Sequence, residues 1–318
     1  YHPHQAKLAK EIIRNAFPGK VFFCNSGAEA AEGAIKFARA YGKGERYEII
    51  TTLNSFHGRT MGALSATGQK KYQEGFAPLL EGFKSVPFND ISAMKSAITD
   101  KTVAIMLELI QGEGGINIAT PEYVKEIRRI CDERDMLLIF DEVQTGMGRT
   151  GEMFAFKHFG VAPDLMTLAK ALGGGLPIGA LVVKESMAST LKPGMHASTF
   201  GGGPVICKAA LGVFKAITAD KMLKNVKVMG PYLLGKLNGL KEKFHCILQV
   251  RGLGLMVGVE LNIEGKSVVE ECFRRGLIIN CTQGKVLRIM PALNVTKKQI
   301  DKAAGILEKA FAAVATSS

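Results

Sequence analysis

Two side chains of opposite charge follow buried-looking runs in this sequence. Asp141 comes directly after the apolar run 136–140, and Lys170 comes just after the run 165–168. In open α/β sheets, ligands bind outside the carboxyl ends of the strands, where these residues would stand. A partly desolvated carboxylate there needs a cationic partner, either a ligand or an arginine of the protein in a structural ion pair. Lys170 is followed by Gly173-Gly174-Gly175, whose bare backbone lets another group come close. Most lysines are solvated surface groups. One held and desolvated beside an electrophile is a nucleophile, and the glycine run sets Lys170 apart. A third element is Asn25-Ser26-Gly27-Ala28-Glu29. Ser26 and Glu29 fit a capping box, and the small residues Gly27 and Ala28 would leave N–H groups open to an anion at the positive end of a helix. Taken alone, this segment reads better as no more than a good helix start.

Gly146-Met147-Gly148-Arg149-Thr150-Gly151 matches G-x-G-x-x-G, but its surroundings speak against a dinucleotide site. A dinucleotide fold needs a strand running almost directly into the first glycine and a helix immediately after. Here Asp141-Glu142-Val143-Gln144-Thr145 intervenes, Arg149 suits the turn poorly, and no acidic residue closes a second strand about 20 positions on.

These positions require a scaffold, and the sequence supplies one. Strand-length apolar runs at 21–24, 48–52, 103–109, 136–140, 165–168 and 180–183 alternate with helix-periodic stretches such as 28–41 and 121–134. Several runs lack polar alternation, as expected for parallel strands covered on both faces. Thr120 and Pro121 make a plausible N-cap and first helical position. The alternation predicts an α/β domain with a mostly parallel sheet. Residues 204–243 read as nearly continuous helix. Beyond them come strands at 246–250, 255–261, 277–280 and 286–290, with helices at 266–275 and 297–315. The expected organisation is a large domain over 1–205, a helical connector over 206–243 and a smaller α+β domain over 244–318.

Composition bounds the function. The chain has 318 residues, 47 % of them hydrophobic and 22 % charged, which excludes a mainly disordered state. No apolar run approaches the roughly 18 residues needed to span a bilayer. The net charge of +12 is spread along the chain without a basic stripe interleaved with aromatics, so nucleic acid is not expected as a partner. Six cysteines form no CxxC pair, which predicts reduced thiols, no structural zinc and a reducing compartment such as the cytoplasm, or an organelle matrix had a leader been removed. Tyr1-His2-Pro3-His4 lacks an initiator methionine, so a fragment or processed product is expected.

Five motifs, in order, resemble the class III aminotransferases of fold-type I, which use pyridoxal phosphate. They are Asn25-Ser26-Gly27-Ala28-Glu29-Ala30, Ser55-Phe56-His57-Gly58-Arg59-Thr60, Asp141-Glu142-Val143-Gln144-Thr145-Gly146, Ala169-Lys170 with its glycines, and His196-Ala197-Ser198-Thr199-Phe200-Gly201-Gly202. By motif the chain resembles the acetylornithine aminotransferase group, with its succinylornithine- and ornithine-using relatives. The resemblance implies a three-layer α/β/α large domain and a smaller C-terminal α+β domain. It implies that Lys170 bonds to the cofactor aldehyde and moves the proton, while Asp141 pairs with the pyridinium nitrogen. Ser26, Gly27 and Ala28 would take the phosphate. Phe56 and Val143 would cover the two ring faces, Gln144 would sit near the phenolic oxygen, and His57 and Glu142 would complete the cofactor contacts. Thr199 would reach the phosphate of a neighbouring subunit, which implies a homodimer.

On the substrate side, the resemblance implies that Arg288 grips the α-carboxylate of glutamate or 2-oxoglutarate and that Glu113 covers this arginine while the amine donor is bound. Arg59 and Ser198 would contact the acylated ornithine, with Glu108 also in the substrate set. An arginine repels a cationic end, so Arg59 suits an acylated, net acidic donor. The implied reaction is transfer of the terminal amine of N2-acetylornithine to 2-oxoglutarate, in arginine biosynthesis. Ornithine, succinylornithine or 4-aminobutyrate are alternative donors, and a catalytically inactive scaffold is the alternative of another kind. Three departures stand out. Leu109 replaces the usual proline after Glu108, Gly203 replaces the usual asparagine before Pro204, and the amino-terminal segment that lines the pocket in the family is missing.

Overall fold

The computed structural model describes residues 2–315. Its strands, in chain order, are β1 (Gly19–Cys24), β2 (Glu48–Thr52), β3 (Phe83–Val86), β4 (Thr102–Leu107), β5 (Ile110–Gln111), β6 (Asn117–Ile118), β7 (Leu137–Asp141), β8 (Leu165–Leu168), β9 (Gly179–Lys184), β10 (Ile247–Leu253), β11 (Met256–Leu261), β12 (Asn280–Thr282) and β13 (Val286–Ile289). The chain divides into two compact units. One runs to Leu109 and adds Ala119–Met147 and Glu152–Ala216. The other takes Ile110–Ile118, Gly148–Gly151 and the chain from Ile217 onward.

The first unit holds a seven-stranded sheet in the order β1-β9-β8-β7-β4-β2-β3. Its β2–β3, β2–β4, β4–β7 and β7–β8 pairs are parallel, and β9 runs antiparallel to both its neighbours. The mostly parallel sheet expected from the sequence is the one that forms. Every residue of β4 and β7 is buried, which is why those runs carry no polar alternation. The helix Gly27–Tyr41 places Ala31, Ala34, Ile35 and Ala38 in one cluster with Leu137, Ile139, Leu165 and Leu181. Small residues on its inner face let it sit close to the sheet, and each large apolar side chain buried this way contributes about 1.5–3 kcal/mol. The edge strand β3 escapes a reading by periodicity. It is four residues long, and its Lys84 is half-buried beside exposed Ser85.

In the second unit β10, β11, β13 and β12 form an antiparallel sheet in that order. Leu233, Leu237, Leu255, Val257, Leu287 and Phe311 are among the core residues beneath it. The stretch 204–243 is two helices, Pro204–Ala219 and Met222–Lys243, separated where Lys221 takes a φ of +52°. No helix among the described residues is long and apolar enough to cross a membrane.

Candidate active site

Strand β7 ends on Asp141, which pairs in register with Thr167 of β8. Asp141 is 5 % exposed. Its Oδ2 lies 2.7 Å from His57 Nδ1, and its Oδ1 accepts the Val143 N–H at 3.1 Å. His57 is buried too, and its own N–H donates to Thr67 Oγ1 at 3.0 Å. Burial pulls the imidazole pKa down, but the hydrogen bond to Asp141, the charge of Asp141 and the more distant charge of Glu108 outweigh it, so the net shift is upward. His57 is therefore driven toward its imidazolium form. His57 Nε2 and Thr167 Oγ1 are buried with no hydrogen-bond partner among the described residues.

The helix after β1 begins as its sequence predicts. Ser26 caps it by accepting the Glu29 N–H at 3.1 Å. Glu29 reaches back one residue further than a capping box requires, its Oε2 accepting both the Asn25 N–H at 2.8 Å and Asn25 Nδ2 at 3.0 Å. A Cβ on Gly27 would stand 3.1 and 3.2 Å from the two Val143 methyls and 3.5 Å from Ala169 Cβ. The helix N-terminus, the loop after Asp141 and the residue before Lys170 thus converge on one point. Gly58, at φ +145°, closes the turn after His57 onto the same place, since a Cβ there would meet Ala28 Cβ at 2.9 Å. Lys170 opens a short 3₁₀ turn at φ +45°, a left-handed conformation unusual for a side-chain-bearing residue. It is exposed rather than desolvated, because Ala171 and Gly173–Gly175 offer almost no side chain to cover it.

The remaining residues of the first unit fall around this centre. The Phe56 N–H donates to Glu108 Oε2 at 2.9 Å, so this expected substrate contact also fixes the turn that carries the aromatic ring. Phe56 meets Tyr72 edge to face at 5.5 Å, and the Arg59 guanidinium lies 5.0 Å over Tyr72 and 6.0 Å over Phe56. Ser198 Oγ accepts Asn25 Nδ2 at 3.2 Å and the Gly201 N–H at 3.1 Å, with Thr199 exposed beside it. Gln144 is half-buried. Glu142 is 1 % exposed, and both its oxygens serve protein donors: Thr145 Oγ1 at 2.7 Å, Ala155 N–H at 2.9 Å and Phe156 N–H at 2.8 Å. Burial pushes its carboxyl pKa up against the pull of those hydrogen bonds. Gly203 needs no special conformation, since a Cβ there would meet only Phe200 O, at 3.5 Å. Leu109 is fully buried.

In the second unit Arg288 Nη1 donates to Glu113 Oε1 at 2.6 Å and to Gly112 O at 3.0 Å. The segment 146–151 is a turn, closed by the Gly151 N–H on Gly148 O at 3.1 Å. Its Arg149 donates to the carbonyls of Leu255 and Pro291. Sequence reading did not find Thr67, which anchors His57, or Tyr72, which braces Phe56. Neither belongs to a periodic pattern; only the aromatic after Lys70-Lys71 offered any signal.

The sequence profile described as "Aminotransferase class-III" matches residues 1–311. An acetylornithine aminotransferase of Caldanaerobacter subterraneus subsp. tengcongensis is 55 % identical over 313 residues, covering 97 % of this chain and 79 % of that relative. One from Methanocaldococcus jannaschii is 54 % identical over 314 residues, covering 96 % and 78 %. Among solved structures, the N-acetylornithine aminotransferase of Stenotrophomonas maltophilia superposes with a TM-score of 0.86 at 33 % identity, covering all of this chain and 82 % of that one. The ornithine aminotransferase of Toxoplasma gondii, described with pyridoxal phosphate partly occupying its active site, gives 0.94 at 31 % identity, covering 98 % and 77 %. Pyridoxal phosphate is the cofactor of such enzymes, and the residues here fit it. A buried carboxylate backed by an imidazole suits a pyridinium nitrogen, Thr167 Oγ1 lies next to it with its hydrogen bonding unmet, and the Gly27 cradle is one that a Cβ would fill. With its fold, its converging motifs and a match along nearly its whole length, this chain belongs to the class III, fold-type I aminotransferases.

Proposed function

We propose that this enzyme moves the terminal amine of N2-acetylornithine to 2-oxoglutarate, giving N-acetylglutamate 5-semialdehyde and glutamate. The observation that carries the reading is the Asp141–His57 pair beside the point where Gly27, Val143 and Ala169 converge, with Lys170 next along the chain. The donor is supported by the name shared by the relatives at 54–55 % identity. When bound, the cofactor supplies an electron sink for the carbon that loses a proton. Asp141 would face the ring nitrogen and favour its protonated form, and His57 holds the carboxylate in place. Gly27 and Ala28 bind the phosphate through backbone N–H groups at the positive end of their helix, as anions bind generally. Phe56 and Val143 would be the residues that hold the ring. Lys170 Nζ is the base that takes the proton from the amine-bearing carbon. Arg59, held over Tyr72, offers charge to the acylated end of the donor.

Arg288 takes the carboxylates of glutamate and 2-oxoglutarate, and Glu113 occupies it while acetylornithine reacts. The 2.6 Å contact between them supports this second role. A homodimer is part of the proposal, since Thr199 and Phe200, the latter 79 % exposed, lie on an open loop free to meet a second subunit. Cytoplasmic residence is supported by six free thiols.

Two measurements test the proposal. Borohydride is expected to abolish the visible band of the purified enzyme, and Lys170→Ala is expected to lack that band. Values of kcat/KM for acetylornithine, succinylornithine, ornithine and 4-aminobutyrate are expected to rank acetylornithine first. Ornithine ahead by about tenfold or more would overturn the choice of donor.

A further inference from the structure

Glu113 sits in the five-residue connection between β5 and β6, whose ladder pairs Ile110 with Ile118 and Gln111 with Asn117. That connection is held in an unusual shape. Ile116 is fully buried at φ +57°, a region that β-branched residues rarely adopt, and Gly115 precedes it at φ +103°. Such a conformation persists only where its surroundings over-determine it. The surroundings here can be named. Arg251, on β10, donates from Nε to Gly115 O at 3.1 Å and Ile116 O at 3.2 Å, and from Nη2 to Gly115 O at 2.6 Å. Its third nitrogen is fixed from behind by Gln249 Oε1 at 2.9 Å and by the Glu260 carboxylate. Ile116 packs against Gly258 so closely that a Cβ there would stand 3.0 Å from its own. Gln283 donates to Glu113 O at 2.8 Å, and Asn117 donates to Gly114 O at 3.0 Å. The guanidinium of Arg251 thus makes three hydrogen bonds to the backbone that carries Glu113, although it does not touch Glu113 or Arg288 in any bond above.

We propose that Arg251 is a positioning residue for the carboxylate site at Arg288. By gripping the carbonyls of Gly115 and Ile116, it holds the connection in the shape that aims Glu113 at Arg288. It thereby sets how readily Arg288 gives up Glu113 for the carboxylate of a keto acid or dicarboxylate. This deepens the role given above to Arg288 and Glu113 and rests on it. Lysine at 251 cannot reproduce the fork, because it has one nitrogen for carbonyls that Arg251 reaches with two. Loosening the grip weakens Glu113 as a competitor, so an outside dicarboxylate binds Arg288 more easily, while the acetylornithine half-reaction loses the covering of Arg288 that the role given above assigns to Glu113.

The test compares wild type, Arg251→Lys, Arg251→Gln and Glu113→Ala as holoenzymes. Two quantities are read: the ratio of single-turnover rate constants for acetylornithine and for 2-oxoglutarate, and the dissociation constant of glutarate, which has neither amine nor keto group. In the Arg251 variants the ratio is expected to fall about fivefold or more and glutarate to bind more tightly by a similar factor. A merely structural role lowers both half-reactions alike and leaves glutarate unmoved. Arg251→Lys keeps the charge and serves as the readout if Arg251→Gln does not fold. If Glu113→Ala moves both quantities and Arg251→Lys moves only one or neither, the proposal is overturned and the Arg288–Glu113 role stands. If Glu113→Ala moves neither, that role fails and the proposal with it.

Discussion

Glu142 is the residue whose expected role the geometry questions most, and Glu142→Ala decides it. The motif suggests a cofactor contact, and both oxygens of its carboxylate also accept protein donors: Thr145 Oγ1, and the N–H groups of Ala155 and Phe156. The Thr145 hydroxyl can rotate to another acceptor, but the two backbone donors are buried and fixed. Each buried donor stripped of its acceptor costs about 1–3 kcal/mol, so alanine should cost about 2–6 kcal/mol. Glu142→Gln keeps one acceptor oxygen and turns an NH2 toward the other donors, which places it at about half that cost. For a domain of this size one kcal/mol corresponds to about 2–4 °C in Tm, so alanine should lower Tm by about 4 °C or more, with glutamine between it and wild type. Thermal unfolding followed by circular dichroism gives the shift, and a cofactor titration of the folded variant gives affinity. The reasoning is refuted if Glu142→Ala melts within about 2 °C of wild type while its cofactor affinity collapses.

Three further outcomes are expected. The His57 pKa is raised on folding above its ordinary value of about 6.5, so its stabilisation is fully present below that pH and is lost as pH rises through the folded value. The Tm gap between wild type and His57→Asn should therefore be widest below about pH 6.5 and narrow above it, and a gap that widens with pH would contradict the pairing with Asp141. Gly27→Val places its Cβ 3.1–3.2 Å from the Val143 methyls, and crowding there should raise the cofactor dissociation constant about tenfold or more, as read by equilibrium titration. Ser26→Ala should cost about 1 kcal/mol of stability through the lost cap while changing cofactor affinity little, if the phosphate is bound by backbone as proposed; a large loss of affinity without loss of Tm would make Ser26 a direct ligand.

Legibility in the sequence followed the length and one-sidedness of each signal. β2, β8 and the helix Lys297–Ala315 coincide with the ranges read from periodicity, because fully buried or strongly amphipathic segments announce themselves locally. β3 did not, since an edge strand of four residues with a half-buried lysine carries no pattern that a loop would not. The break at Lys221 was equally hidden. It is a single left-handed residue, and no glycine or proline stands at it, whereas Gly230 and Pro231 lie inside the second helix without ending it.

The site shows the same division on a finer scale. Asp141 and Lys170 could be found because a charge directly after an apolar strand is anomalous in one dimension. What supports them could not, because it is chosen in three dimensions. Thr67 lies ten residues beyond His57 and comes back to its N–H only through the short helix Met61–Ala66, while Glu108, just past the end of β4, holds the Phe56 N–H. His57 shows the consequence. Its motif implies a contact with the cofactor; its Nδ1 is committed by a 2.7 Å bond to Asp141, and its Nε2 is buried with no hydrogen-bond partner among the described residues. A histidine placed there acts through the carboxylate: its 2.7 Å contact fixes the orientation of Asp141. On the reading proposed above, the ring-nitrogen partner would be a pair of residues, Asp141 backed by His57. Substituting His57 should weaken proton transfer in both half-reactions alike, whereas substituting Arg251 should separate them.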